Sequence, residues 1–226
     1  MIVQVPDPFS GGTVGWRSGS RVESEMLGEL FRFAGCGGAS RRIAERVIDE
    51  TGSLAAAVSA SEWSLRRLEV PGEAVRVLRL MRESLVGILR REAMRRPQLG
   101  CGTELLDYLH AEMAHALTER FRVLFLDSQN GLIRDEMLAE GSVGHAPVQV
   151  REVVRRALEI GASALILVHN HPSGDPAPSA ADVALTRDLI AATRLLDIAI
   201  HDHIVVGRYG HASLRALGLL GTTDAR

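Results

Sequence analysis

From Val22 to Ala93 apolar residues return at intervals of three and four: Met26, Leu27, Leu30, Phe31 and Phe33, then Ile43, Val47 and Ile48, then Val75, Leu78, Leu80, Met81 and Leu85. That spacing lines one face of a 3.6-residue helix, so an all-helical unit is predicted. Its breaks fall at Gly35 to Gly38, at Thr51-Gly52 and at Pro71-Gly72, where helix stops and tight turns are accessible. Thr103 to Arg120 continues the helical pattern, with Leu105, Leu106, Leu109, Met113 and Leu117 on one face. The period then changes. Phe121 to Leu126 reads as a strand, Asp127 to Gly131 holds the Asn-Gly signal of a hairpin, and Leu132 to Ala139 returns as the partner strand. Val150 to Ile160 is a helix stopped by Gly161, Ala162 to Val168 a strand buried on both faces, Ser179 to Leu196 a helix, and Ile198 to Val206 a strand.

This order predicts an α/β domain over 103–226, a mixed sheet flanked by helices, preceded by a small all-helical N-terminal domain over 14–96. Residues 1–13 combine two prolines with a Gly-Gly pair and lack apolar periodicity, which predicts a flexible arm. Residues 97–102 read as a linker. Composition narrows the class. No apolar run exceeds five residues, as at Ala164 to Val168, where a bilayer span needs about 20, and the N-terminus lacks a signal-peptide layout. A cytoplasmic protein with no membrane partner is expected. Cys36 and Cys101 are too few for a disulfide framework and lack C-x-x-C spacing. The net charge of −2 argues against a chain held to nucleic acid by bulk electrostatics, although Val14 to Arg96 carries 15 arginines against 11 acidic residues.

The candidate chemistry lies at the end of the buried strand, in His169-Asn170-His171 followed by a turn with prolines at 172, 176 and 178. Residues two apart on a strand share a face, so both imidazoles can address one ion while Asn170 faces away. Asp182, in the first turn of the next helix, can close the site; two His and one Asp leave a fourth tetrahedral position for water, the mark of a catalytic zinc site. Ser179-x-x-Asp182 also reads as a helix-capping box, and both readings stand at this point. A second H-x-H, His201-Asp202-His203, could complete a rival metal site but ranks lower, because a His-Asp pair on a strand is commonly a buried, hydrogen-bonded structural pair.

His169-Asn170-His171-Pro172, then Ser179 and Asp182, resembles the JAMM (MPN+) metalloprotease motif, and HNHPSGDPAPS resembles its bacterial RadC branch. Further similarity lies in Glu119 to Asp127, Arg151-Glu152-Val153, Asp202-His203-Ile204 and Ser213-Leu214-Arg215, so that it covers Thr103 to Leu220. The resemblance implies one Zn2+ per chain held by His169, His171 and Asp182, Glu119 as general base and Ser179 as stabiliser of the water or tetrahedral intermediate. Glu112, Glu136 and Glu140 are also upstream; Glu119 is preferred because it stands immediately before the strand, as the family glutamate does. A zinc-dependent metallohydrolase acting on a peptide or isopeptide substrate is the implied function. The alternatives are a DNA-repair-associated DNA-binding factor, with weak DNA contact through the N-terminal domain, and a metal-dependent nuclease. The helical unit resembles a degenerate helix-hairpin-helix, its hairpin represented by Val70-Pro71-Gly72-Glu73 with one glycine, and Arg90, Arg91, Arg95 and Arg96 form a basic cluster beyond it. Val150 stands where the family usually has proline.

Overall fold

A computed structural model of the chain describes residues 2–4, 19–94, 102–141 and 148–220. Its contacts form two compact units, one over residues 19–87 and one over residues 2–4 with 88–220. In the first, helices α1 (Gly19–Phe31), α2 (Ser40–Thr51), α3 (Leu54–Ser59), α4 (Glu62–Arg67) and α5 (Gly72–Met94) enclose a core. Leu27, Phe31, Ile43, Val47, Ile48, Leu65, Val75 and Leu78 build it, the positions spaced three and four apart in the chain. Ser53 and Ser61 start α3 and α4 by accepting from the main-chain N–H three residues on, at 3.1 Å each.

Between α1 and α2 the chain turns at Gly35 (φ 86°) and Gly37 (φ 53°), both in the left-handed region. The paired-glycine turn of this unit therefore lies at 35–38, whereas Val70-Pro71-Gly72-Glu73 joins α4 to α5 with Val70 buried in the core. The contact boundary falls within α5. Of the expected linker only Gly102 is described, and it precedes α6 (Thr103–Met113) as its N-cap.

The second unit is a six-stranded sheet in the order β1-β6-β5-β4-β2-β3, with β4 and β5 parallel and the other neighbours antiparallel. Its strands are β1 (Ile2–Gln4), β2 (Glu119–Leu126), β3 (Leu132–Gly141), β4 (Ala164–Asn170), β5 (Ala199–Gly207) and β6 (Gly210–Ser213). Helices α7 (Val150–Ile160) and α8 (Ala180–Arg194) share a core with Phe121, Val123, Phe125, Leu165 and Leu167. Alternation turns Arg122 the other way, onto Tyr108 and Glu112 of α6. Helices thus cover both faces, and β4 is buried at every position, as its continuous apolar run demands.

Three details depart from the pattern reading. Residues 2–4 of the expected arm pair with β6, Ile2 opposite Ala212 and Gln4 opposite Gly210, because joining a sheet edge requires main-chain groups and no apolar period. Helix α6 stops at Met113, and Glu119 and Arg120 already belong to β2, held there by pairing with Gly141 and Glu140. The hairpin is organised by Asp127, whose Oδ1 accepts from Gln129 and Gly131 N–H at 2.8 Å each, while Asn130 takes the left-handed conformation at φ 62°.

Asp202, buried on β5, ties that strand to the turn after β6. Its carboxylate accepts from the N–H of His203 at 2.7 Å and of Arg215 at 3.1 Å, and from the Ser213 hydroxyl at 2.5 Å. Asp202→Ala strands these donors, so urea unfolding should show a loss of about 2–4 kcal/mol. A loss below about 0.5 kcal/mol would mean that the carboxylate does not hold the sheet corner.

Candidate metal centre

On β4, Leu165, Leu167 and His169 share the face that meets α8, so alternation delivers one imidazole to the helix carrying Asp182. His171 follows the strand and stays in line because its N–H donates to Val206 O at 2.9 Å. The proline-bearing loop then returns the chain to α8. The structure brings His169, His171 and Asp182 together, with one potential ligand atom from each within 4.8 Å of the others. His169 Nε2 lies 3.0 Å from His171 Nε2 and 3.3 Å from Asp182 Oδ1, and His171 Nε2 lies 3.5 Å from Asp182 Oδ2. Among the described residues no second cluster of this kind occurs.

These separations fit a cation. A tetrahedral ion with ligands at about 2.0–2.1 Å has ligand atoms about 3.3–3.4 Å apart, and the separations of 3.0, 3.3 and 3.5 Å lie around that value. Proton accounting agrees. His171 Nδ1 faces the Asp175 carbonyl at 2.8 Å; a carbonyl only accepts, so the proton of a neutral His171 is on Nδ1 and Nε2 offers a lone pair. It offers that lone pair to another imidazole nitrogen and a carboxylate, an arrangement that repels unless positive charge lies among them. The titration favours positive charge at this place. Asp182 faces His171 and raises its pKa against the opposing effect of burial, with the Asp175 carbonyl and the charge of Glu119 adding to the rise. Burial alone would raise the Asp182 carboxyl, but His169, His171 and Ser179 outweigh it and hold the group well below the usual carboxylate range.

Capping and convergence on the two histidines prove compatible in Asp182. Its Oδ2 accepts from Ser179 N and Ser179 Oγ at 2.7 Å each, and its own N–H donates to Ser179 Oγ at 3.2 Å, a complete capping box. The box fixes the carboxylate plane and leaves Oδ1 directed at His169. Ser179 is exposed at the helix start with its hydroxyl proton on Asp182.

Glu119 opens β2. Pairing between β2 and β4 ends at Phe121 opposite His169, and the Asn170 carboxamide spans the gap beyond it. Its Oδ1 accepts from Arg120 N at 2.9 Å and its Nδ2 donates to Thr118 O at 3.0 Å, gripping the main chain on both sides of Glu119. The other upstream glutamates are engaged by arginines: Glu112 by Arg122, Glu136 by Arg156, Glu140 by Arg120. Sequence reasoning passed over Asn170, whose position between two histidines signals nothing until the register of β2 is known.

His201 and His203 do not act as a pair. β5 carries one residue more than β4 between Ile200 and Asp202, which breaks the alternation. His201 Nε2 meets Asn130 Oδ1 at 2.5 Å, and the fully buried His203 places Nε2 2.8 Å from His169 Nδ1.

The family model described as RadC-like JAB domain matches residues 99–219. A curated relative, a UPF0758 protein of Rhodobacter capsulatus, is 48% identical over 179 residues, which covers 79% of this chain and 84% of that protein.

If the three side chains hold an ion, elemental analysis should find about one equivalent in the wild type and none in Asp182→Ala, which also loses about 1 kcal/mol of stability with its cap. Ser179→Ala should lose similar stability and keep the metal. Uptake should weaken as pH falls, starting above the ordinary imidazole range because His171 must shed a proton whose affinity is raised. Full metal content in Asp182→Ala would reduce Asp182 to a cap.

Proposed function

This chain belongs to the RadC family of JAB-domain proteins, and from that premise we propose that its second unit is a zinc-dependent hydrolase acting on amide bonds of peptide or isopeptide type. One observation carries the reading: three converging donors, spaced for a tetrahedral ion, beside a glutamate gripped in place on the adjoining strand. His169, His171 and Asp182 are the residues that hold the ion. When bound, zinc supplies Lewis acidity, which polarises a carbonyl and makes water a proton donor near neutral pH.

The remaining work falls to this chain's own groups. Glu119, held by Asn170 near the charge of His171, takes the proton of the attacking water at its carboxylate and returns it to the departing amine nitrogen. Ser179 Oγ keeps accepting from Asp182 N while its O–H turns from Asp182 Oδ2 toward a substrate oxygen. That swing costs one hydrogen bond of the cap and none of the main-chain contacts.

Glu119→Gln should keep its zinc and lose about 10²–10⁴-fold in hydrolysis of a fluorogenic peptide or isopeptide library. Undiminished cleavage by that variant would remove Glu119 from the mechanism. Zinc-dependent cleavage of a phosphodiester but not of any amide would transfer the site to the nuclease alternative, which a single ion without a paired metal clamp serves less well.

A second reading, association with DNA, applies to the helical unit. It is supported by the left-handed glycine pair at Gly35 and Gly37 between two packed helices, with Arg32, Arg41 and Arg42 adjacent. Such a turn lets a phosphate approach main-chain N–H groups. Contacts of this kind predict that log affinity for duplex DNA falls with log salt by about 0.9 per phosphate engaged. A slope near zero would exclude them.

A further inference from the structure

We propose that Thr186 and His203 are positioning residues for the metal, forming a one-way chain of hydrogen bonds that fixes His169 as the tautomer with a bare Nε2 facing Asp182 and His171. The proposal rests on the metal reading above. It starts from the single proton of the Thr186 hydroxyl. Thr186 is fully buried on α8, one turn beyond Asp182, and its Oγ1 lies 2.5 Å from the Asp182 main-chain carbonyl. That carbonyl only accepts, so the hydroxyl proton is spent there.

Thr186 Oγ1 also lies 2.6 Å from His203 Nδ1, and with its own proton committed the oxygen must accept. His203 therefore carries hydrogen on Nδ1. The ring is wholly buried, with a hydroxyl against one nitrogen and another imidazole against the other, and burial disfavours the charged form against the pull of the Asp182 carboxylate. A neutral ring has one proton, so His203 Nε2 is an acceptor. It lies 2.8 Å from His169 Nδ1, which must donate. His169 Nε2 is then left with a lone pair, 3.3 Å from Asp182 Oδ1.

The chain closes on itself. It leaves the Asp182 main chain, passes through Thr186 and His203 to His169, and ends at the Asp182 carboxylate. One circuit thus sets the protonation of a ligand and the distance between the strand and helix that supply two of the three donors. His171 reaches the same state separately, through the Asp175 carbonyl. Phe121 shields the circuit, stacking on the His169 ring at 6.5 Å and meeting the His203 ring edge-on at 5.7 Å.

The test measures zinc affinity of the full chain by chelator competition for wild type, Thr186→Val and Thr186→Ser, with imidazole tautomers read from long-range ¹H–¹⁵N spectra of the wild type. Valine keeps the shape and removes the acceptor; serine restores it. Thr186→Val should bind zinc about 10–100-fold more weakly and Thr186→Ser within about twofold of wild type. His169 and His203 should both appear protonated at Nδ1. Equal zinc affinity in wild type and Thr186→Val overturns the role of Thr186 alone, and a His203 protonated at Nε2 overturns the chain even where no variant folds. A wild type that shows these tautomers but takes up no zinc overturns the metal reading, and this role with it.

Discussion

Two imidazole nitrogens and a carboxylate are pressed to within 3.0–3.5 Å of one another at the end of β4, with the proton of His171 drawn away to a carbonyl. With both imidazoles neutral, lone pairs held so close repel, and a protein stores such repulsion only where the surrounding structure over-determines the positions. Here it does. His169 belongs to a strand buried at every residue, His171 is tied to β5 through its N–H, and the Asp182 carboxylate is clamped by its own helix cap. A cation converts this repulsion into attraction, so the same restraints that strain the bare cluster preorganise it for an ion.

The capping box shows how one residue serves both purposes. A carboxylate has two oxygens with several acceptor positions, and the cap occupies those on Oδ2 while Oδ1 faces His169. The cap is thus an orienting device for the cluster as well as an end for α8. Its cost is positional: Asp182 must stand three residues after Ser179, which fixes the helix start relative to the strand. Prolines at 172, 176 and 178 hold the intervening loop to that length and direction.

Local features of the site were legible in the chain and distant ones were not. The period of two put His169 and His171 on one side, and the helix-start carboxylate was visible as a ligand or a cap. Glu119 could be singled out among four glutamates only through a family resemblance, because its placement depends on β2 pairing with β4 across about fifty residues of sequence. Thr186 carried no signal and the partner of His203 could not be read, since a threonine on a helix and a histidine on a strand meet only when the parallel pairing of β4 and β5 brings them together. The extra residue in β5 was not visible either; it breaks the alternation by which His201 and His203 would have shared a face. The mixed fold was legible from its periods, whereas β1, which pairs with β6 without an apolar period to announce it, was not.

The location of the cluster follows from topology. β4 and β5 are the parallel pair of the sheet, and a parallel pair requires a crossover, here the loop and α8, that leaves from the carboxyl end of the first strand. Groups at that end are turned toward the crossover helix without needing a dedicated insertion. The loop must also clear the end of β5, and it does so over Gly207, where any Cβ would strike the Gly174 carbonyl and the Pro176 ring. Arg208 N–H then donates to Gly174 O at 3.0 Å, fastening the loop to the strand it crosses. A glycine with no side chain to offer the chemistry thereby makes room for the loop that joins His171 to Asp182.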